Sequence, residues 1–254
     1  MRGPQKGAES VAAAFKRGSP KMYGRGGKME FFQVLTNSVG TFMAAMGETV
    51  KLAIVALIAA SVLGVIFGLF TVSKIRVLEF ISQIYVGIIR GTPLLVQTFI
   101  VYYGLAQVLR PLGFQWKLIG GPFTAGAVAL SLNAGAYMAE IIRGGIEAVD
   151  KGQMEAARSL GLSYGKSMRK IVLPQAFFTM LPAIINQFII TLKDTSLISI
   201  IGIRELTQNG KILAANSANR VMAIWLVVAV YYLIVCTILS QVAKIVERKV
   251  SHGK

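Results

Sequence analysis

Four long runs without a charged residue constrain this chain more than any other feature of its sequence. They cover Leu52–Ser73, Leu118–Ala139, Ile171–Leu192 and Val221–Ala243. Each is close to the length, roughly 20 residues, that a helix needs to cross the hydrocarbon layer of a membrane. A fifth run, Phe80–Leu109, is interrupted by Arg90-Gly91-Thr92-Pro93. We therefore predict five transmembrane helices, one of them broken.

The overall composition supports a membrane protein. Hydrophobic residues make up 54% of the chain and charged residues 15%, whereas about a quarter of an ordinary soluble domain is charged. A large soluble core of buried helices is the alternative, which four or five such runs in one short chain disfavour. Ten-residue alternating strands do not occur, so the sequence does not favour a β-barrel. The predicted fold class is an all-α integral membrane protein with five transmembrane helices, a cytoplasmic loop helix and an N-terminal amphipathic segment.

The sequence offers little for catalysis or metal binding. Cys236 lies within the last apolar run, where a buried small hydrophobic side chain is the expected role. His252 is in the C-terminal tail, and no Cys/His cluster occurs. We predict no catalytic residue and no metal site. The alternative of an intramembrane enzyme is disfavoured because the sequence lacks the catalytic groups that such an enzyme needs. The net charge is +16, but most basic residues flank the apolar runs, which predicts contact with membrane lipid rather than with nucleic acid.

The predicted boundaries follow the composition. Residues 1–28 carry seven basic residues and one acidic residue, and they predict a disordered leader, either an added segment or an extension upstream of Met29. Residues 29–48 place apolar side chains at helical spacing. They predict an amphipathic helix on the membrane surface, with a helix packed against the bundle as the alternative. Residues 49–247 form the predicted transmembrane domain, and 248–254 form a cytoplasmic tail.

Basic residues in the connections predict the orientation. Twelve Lys and Arg residues lie on the side of the 140–170 loop and the C-terminus, against seven on the other side. Because Lys and Arg concentrate in cytoplasmic loops, the C-terminus is predicted to be cytoplasmic and the N-terminus outside. The basic leader opposes this assignment.

The segment Gly161–Ser167 resembles a phosphate-binding loop, but its spacing does not fit one. Such a loop has four residues between its first Gly and the Gly-Lys-Ser/Thr, and it follows a strand. Only three residues separate Gly161 from Gly165, and Asp150–Leu160 is charged and rich in helix formers. The chain is therefore not predicted to bind a nucleotide itself.

A second pattern explains the same loop. Glu155-Ala156-Ala157 is followed after three residues by Gly161, and after nine more by Ile171-Val172-Leu173-Pro174. This pattern resembles the EAA loop of bacterial ABC-importer permeases at every fixed position. Gln153–Leu160 favours a helix, and Gly161 can end it in the left-handed conformation. Such a helix can bind in a groove of a separate ATPase, and an ordinary amphipathic connector is the alternative.

The resemblance assigns ATPase contact to residues of this loop helix. They are Met154, Glu155, Ala156, Ala157, Leu160 and Gly161, of which Met154, Ala157 and Leu160 are expected on one side of the helix. Three further stretches, Arg90–Gln97, Asn133–Ile146 and Lys193–Leu197, resemble signatures of the polar amino acid permease subfamily. The resemblance extends over roughly residues 48–247.

This family implies several partners. They are a second permease subunit, identical or paralogous, two cytoplasmic ATPases that bind the ATP, and an extracellular solute-binding protein. The substrate would be an amino acid of the arginine, histidine or glutamine type, and the location the bacterial inner membrane. No cofactor is implied in this chain. A channel or scaffold without an ATPase is the alternative function.

Polar residues in or beside the runs are the candidate substrate ligands, because ionisable groups inside a membrane are costly and mark functional sites. The candidates are Glu140, Asn186, Gln187, Asp194 and Thr195. Pairing with Arg143 is the alternative role of Glu140. Arg90 is predicted to be structural, either paired with Glu79 or Glu140 or holding an irregular turn, and binding of a substrate carboxylate is its second interpretation.

Overall fold

The computed structural model describes residues 26–251, and this part of the chain is helical without a strand. Its α-helices are α1 (Gly26–Asn37), α2 (Val39–Thr71), α3 (Arg76–Arg90), α4 (Leu94–Phe99), α5 (Ala106–Leu109), α6 (Gly121–Glu147), α7 (Lys151–Ser159), α8 (Tyr164–Ser167), α9 (Leu173–Ile198), α10 (Leu206–Ala215) and α11 (Val221–Ser251). Two π-helical turns, Ile100–Leu105 and Met168–Val172, join α4 to α5 and α8 to α9. The predicted leader lies outside the described residues, except for 26–28, which form the first turn of α1.

Five segments account for the predicted spans. Four are long and apolar enough to cross a membrane as single helical segments, namely Val39–Thr71, Gly121–Glu147, Tyr164–Ile201 and Val221–Ile245. The fifth consists of α3 and Leu94–Leu112, whose axes are bent by 104°. The bend falls at the predicted break, since the residue before Pro93 is disfavoured in a helix. The five-helix architecture is therefore confirmed.

Helix α6 lies at the centre of the bundle. Of its membrane-spanning window, 72% is buried, against 33% or less for the other three single spans. Small residues make this possible because they let helix backbones approach closely. A methyl group on Gly64 of α2 would lie 2.5 Å from Cβ of Met138, and one on Gly145 would lie 2.9 Å from Cβ of Met180 in α9.

The N-terminal segment packs against the last helix. Val34 of α1 and Phe42 and Met46 of α2 share one buried cluster with Ile224 and Val227 of α11. One side of this segment is thus covered by protein, whereas Phe32 and Met43, 60% and 59% exposed, lie on the other side.

The boundary predicted at residue 48 falls inside α2, which runs without a break from Val39 to Thr71. Glu48 and Lys51 stand just before the apolar run that begins at Leu52, but the helix continues through them. They pair with each other on the exposed side of the helix, with Lys51 Nζ 3.6 Å from Glu48 Oε1. Charged residues at the edge of this apolar run therefore do not mark a helix boundary.

Two other helices also extend past their apolar runs. Helix α6 continues beyond Ala139 to Glu147, and α9 continues beyond Leu192 to Ile198. Glu140 and Asp194 consequently lie within these helices rather than in the connections after them.

Buried Glu205 anchors α10 between the last two spans. Its carboxylate accepts hydrogen bonds from the N–H of Gln208 at 2.6 Å and from the hydroxyl of Tyr232 at 2.9 Å. Thr49 Oγ1 accepts from the N–H of Leu206 at 3.0 Å, which ties the same connection to α2. Burial raises the pKa of Glu205, although the hydrogen bonds from Gln208 and Tyr232 act in the opposite direction.

Candidate functional site

A polar cavity of about 520 Å³ lies beside the bend between α3 and α4. Its walls come from the bend itself, from α6 and from α9. The lining residues are Arg90, Gly91, Thr92, Pro93, Leu94, Asn133, Tyr137, Gln187, Ile190 and Asp194. One guanidinium, one carboxylate and two amides therefore surround this space.

The bend is held by Gln97, which is almost fully buried. Its Nε2 lies 2.6 Å from the carbonyl oxygen of Ile89 and 2.9 Å from both the carbonyl and the hydroxyl oxygen of Thr92. Its Oε1 accepts from Nδ2 of Asn133 at 3.0 Å. The broken helix thus finds partners for its carbonyl groups in a region where unsatisfied ones are costly, and α6 is tied to the bend.

Two of the five predicted substrate residues, Gln187 and Asp194, line this cavity. Asn186 is exposed on another face of α9. Thr195 is fully buried, and its hydroxyl donates to the carbonyl of Leu192 at 2.7 Å. Positions 187, 190 and 194 recur at helical spacing and share one face, whereas 186 and 195 are each turned away from it by about 100°. The structure therefore places Asn186 and Thr195 outside the cavity.

Glu140 is also outside this cavity and belongs to an ion-pair network. Its Oε2 is 3.5 Å from Nη1 of Arg90, and its Oε1 pairs with Arg143. Arg143 pairs in addition with Glu147. Both predicted alternatives, Glu140 with Arg143 and Arg90 with Glu140, are thus present together.

A second polar cavity, of about 420 Å³, lies on the other side of this network. Its lining residues are Thr71, Glu79, Gln83, Val86, Gly87, Glu140, Arg143 and Glu147. Glu79 therefore shares a cavity with Glu140, and within the described residues the acidic partner of Arg90 is Glu140.

The predicted substrate residues left out three polar residues of this cavity, Thr92, Asn133 and Tyr137. Asn133 and Tyr137 are four residues apart and so share a face of α6. The guanidinium of Arg90 lies 5.5 Å from the centre of the Tyr137 ring. A polar stripe at helical spacing within an otherwise apolar run was the available signal.

The short helix predicted over Gln153–Leu160 is present as α7, which begins earlier, at Lys151, and ends at Ser159. The Asp150 carboxylate accepts from the N–H of Gly152 at 2.6 Å and caps the N-terminus. Gly161, at φ 84°, ends the helix in the left-handed region. Residues 151–159 are helical where a phosphate-binding loop would need a strand.

The predicted common face of α7 is divided in the structure. Met154 packs on the cluster of Ile146 and Val172, and Ala157 is 2% exposed. Leu160 is 84% exposed because the helix has ended and the chain turns at Gly161. Met154 and Ala157 thus fix the helix to the bundle, while Glu155, Ala156 and Leu160 face outwards.

Residues 60–252 match the family model described as "Binding-protein-dependent transport system inner membrane component". The chain belongs to this family. The arginine transport system permease protein ArtQ of Bacillus subtilis is 38% identical to it over 222 residues, which are 87% of this chain and 98% of the relative. The L-cystine transport system permease protein TcyB of the same organism is 39% identical over 204 residues, 80% of this chain and 84% of the relative.

A solved amino acid ABC transporter with histidines contains a chain similar to this inner membrane component. It has a TM-score of 0.77 and 35% sequence identity, over 86% of this chain and 98% of that one. The family match includes α7 and all residues that line the two cavities. The short helix α7 and the two cavities therefore lie within the part of the chain that matches the family.

Proposed function

We propose that this permease takes up a polar amino acid through the cavity beside the bend, as part of an importer with a second permease subunit, two ATPases and an external solute-binding protein. The observation that carries the proposal is the presence of Arg90 and Asp194 in one cavity. A free amino acid carries a carboxylate and an ammonium group, and these two side chains supply the opposite charges. Charge-assisted hydrogen bonds of this kind are among the stronger ones in proteins.

The rest of the cavity suits the same ligand. Asn133 and Gln187 offer both donors and acceptors, and the volume of about 520 Å³ falls within the range of roughly 300–1,000 Å³ that is usual for small-molecule sites. The cavity lies between helices that belong to membrane spans, where charged groups are kept for function. Relatives are named for arginine and cystine transport, which supports an amino acid as the transported molecule.

We assign the contact with the ATPase to the outward side of α7. Leu160 exposes an apolar side chain and Glu155 exposes a charged one in the same short segment, a combination suited to a groove on another protein. Because Met154 and Ala157 hold α7 against the bundle, a displacement of α7 can be transmitted to α6 and α9. In this proposal α7 and the C-terminus are cytoplasmic, the N-terminus is outside, and the ATPase binds the ATP.

The cavity is tested by replacing Asp194 in the complete importer reconstituted in vesicles. Asp194→Asn is expected to lower amino acid uptake by at least about tenfold, since it removes one charge-assisted contact. Asn186→Ala is the matched control, because Asn186 is on the same helix but outside the cavity. Amino acid uptake by this variant should stay near that of the wild type. Equal uptake by both variants would contradict the assignment of the cavity.

The contact with the ATPase is tested with two leucines of nearly equal exposure. Leu160 is 84% exposed at the α7 end, and Leu112 is 82% exposed in the connection at the opposite end of the bundle. Leu160→Asp is expected to weaken capture of the ATPase by about tenfold, and Leu112→Asp to leave it unchanged. A channel or scaffold that needs no ATPase predicts no loss in either variant and uptake without ATP.

A further inference from the structure

The two polar cavities lie in series along α6. Asn133 and Tyr137 line the first, and Glu140, Arg143 and Glu147 line the second, each nearer to α7. From Asn133 to Glu147 the helix rises by about 21 Å, a large part of the thickness of the hydrocarbon layer. A solute that moves along α6 from one cavity to the other must pass the point where they meet.

That point is occupied by the ion pair of Arg90 with Glu140. Arg90 is the last residue of α3 and lines the first cavity, whereas Glu140 lines the second. Gly87, one helical turn before Arg90, also lines the second cavity. The two charged side chains therefore reach towards each other across the boundary between the cavities.

The two members of the pair are held differently. Glu140 has a second cationic partner, Arg143, which holds its other oxygen. Arg90 is 3.5 Å from Glu140, longer than the 2.7–2.9 Å or so of a well-formed charge-assisted hydrogen bond, and is 40% exposed. Arg90 is thus the side chain that can leave, and Glu140 stays paired when it does.

We propose that the Arg90–Glu140 ion pair closes the passage between the two cavities, and that the carboxylate of the bound amino acid opens it by replacing Glu140 as the partner of Arg90. This inference rests on the proposed function and extends it. The exchange leaves neither Arg90 nor Glu140 without a partner of opposite charge inside the bundle, where ionisable groups are costly. It makes the carboxylate of the substrate, rather than its side chain, the group that opens the passage.

The passage can be followed with a single thiol in the second cavity. In a Cys236→Ala background, Gly87→Cys introduces the thiol, and a Cβ atom at Gly87 meets nothing within 4 Å. Gly144→Cys is the control, since Gly144 on α6 is equally free of contacts and does not line either cavity. A charged, membrane-impermeant thiol reagent is added to the side of the solute-binding protein in vesicles that hold the complete importer.

Reaction at Gly87→Cys is expected to rise by at least about tenfold when a transported amino acid is present. The decarboxylated amine with the same side chain should cause no rise, because it brings no carboxylate to Arg90. Reaction at Gly144→Cys should not respond to either compound. An equal rise with the amine would overturn the role of the carboxylate.

Substitutions of two acidic residues of the second cavity distinguish loss of the Arg90–Glu140 ion pair from a general effect of removing a charge. Glu140→Gln removes the partner of Arg90 and is expected to give the open level of reaction without any amino acid. Glu147→Gln removes a carboxylate from the same cavity and from the same Arg143, and it should keep the closed level. If Glu140→Gln does not assemble, Glu140→Asp, which shortens the side chain by one methylene, should give a raised level.

The outcomes also separate this inference from the proposed function. If Asp194→Asn abolishes uptake while Glu140→Gln and Glu140→Asp keep the closed level of reaction, the ion pair is not the gate and the cavity assignment stands. If Asp194→Asn has no effect on uptake, the proposed substrate cavity fails.

Discussion

The central helix α6 and the last helix α11 both span the bundle, but they meet different surroundings. The membrane-spanning window of α6 has a mean hydropathy of 1.3 and is 72% buried, whereas that of α11 has a mean hydropathy of 2.5 and is 22% buried. The less apolar helix is thus the one inside the protein. In a soluble domain the order is the opposite, because water rather than lipid surrounds the fold.

The difference comes from what each helix has to do in lipid. Helix α11 exposes large apolar side chains such as Leu226 and Leu233, which hydrocarbon solvates well. Helix α6 has Ala and Gly at most of its buried positions and carries Asn133, whose partner is Gln97. Close packing and internal hydrogen bonds hold helices together where the hydrophobic effect cannot.

The largest expected effect comes from a matched pair of leucines on the two helices. Leu130 of α6 is 1% exposed and Leu233 of α11 is 65% exposed. Leu130→Ala should destabilise the fold by about 2–5 kcal/mol, because it leaves a cavity between helices. Leu233→Ala should cost less than about 1 kcal/mol, since lipid or detergent fills the space. Thermal unfolding of the purified variants measures both, and similar losses would contradict the comparison.

A smaller effect is expected from two glycines of α2, one facing α6 and one facing away from the protein. Gly64→Val places its side chain against Met138, where even a methyl group would be 2.5 Å from Cβ. Overpacking of this kind costs about 1–3 kcal/mol. Gly47→Val meets nothing within 4 Å and should be neutral or slightly stabilising. The two variants are compared by their midpoints of thermal unfolding in the same detergent. Equal midpoints would show that α2 and α6 are not in close contact.

The smallest effect concerns the polar contact that α11 makes through Tyr232. Burial raises the pKa of Glu205 above its ordinary value, so the folded state binds the proton more tightly than the unfolded state does. Stability should therefore fall as the pH rises from the ordinary pKa of a glutamate through the raised pKa of the folded state. Glu205→Gln should flatten this part of the profile. A profile that is unchanged in the variant would remove Glu205 as its cause.

The sequence predicts the spans because lipid imposes a length and an apolarity that four runs meet without help from packing. The broken run is also readable, since Arg90-Gly91-Thr92-Pro93 cannot continue a helix in hydrocarbon. Helix ends are less readable. Glu48, Glu140 and Asp194 interrupt the apolar pattern but remain helical, because each can face a partner, a cavity or the exterior of the bundle.

The site was only partly readable for the same reason. Gln187 and Asn186 are neighbours of similar chemistry, and a rotation of about 100° between them places one in the cavity and the other outside. Leu160 fits the apolar face of α7 by spacing, but the helix ends before it can share that face. Which side of a helix faces its neighbours is set by packing between distant parts of the chain, and local spacing does not contain it.

Gln97 takes the place of solvent at the bend between α3 and α4. The carbonyl groups at helix ends inside a membrane need a donor from water or from a neighbouring chain, and here the two N–H groups of one amide lie within hydrogen-bond distance of three oxygens. The kink is therefore held from within, by a side chain that belongs to one of its own arms. A glutamate at the same position has no N–H to donate and would leave the carbonyl groups of the kink without this partner.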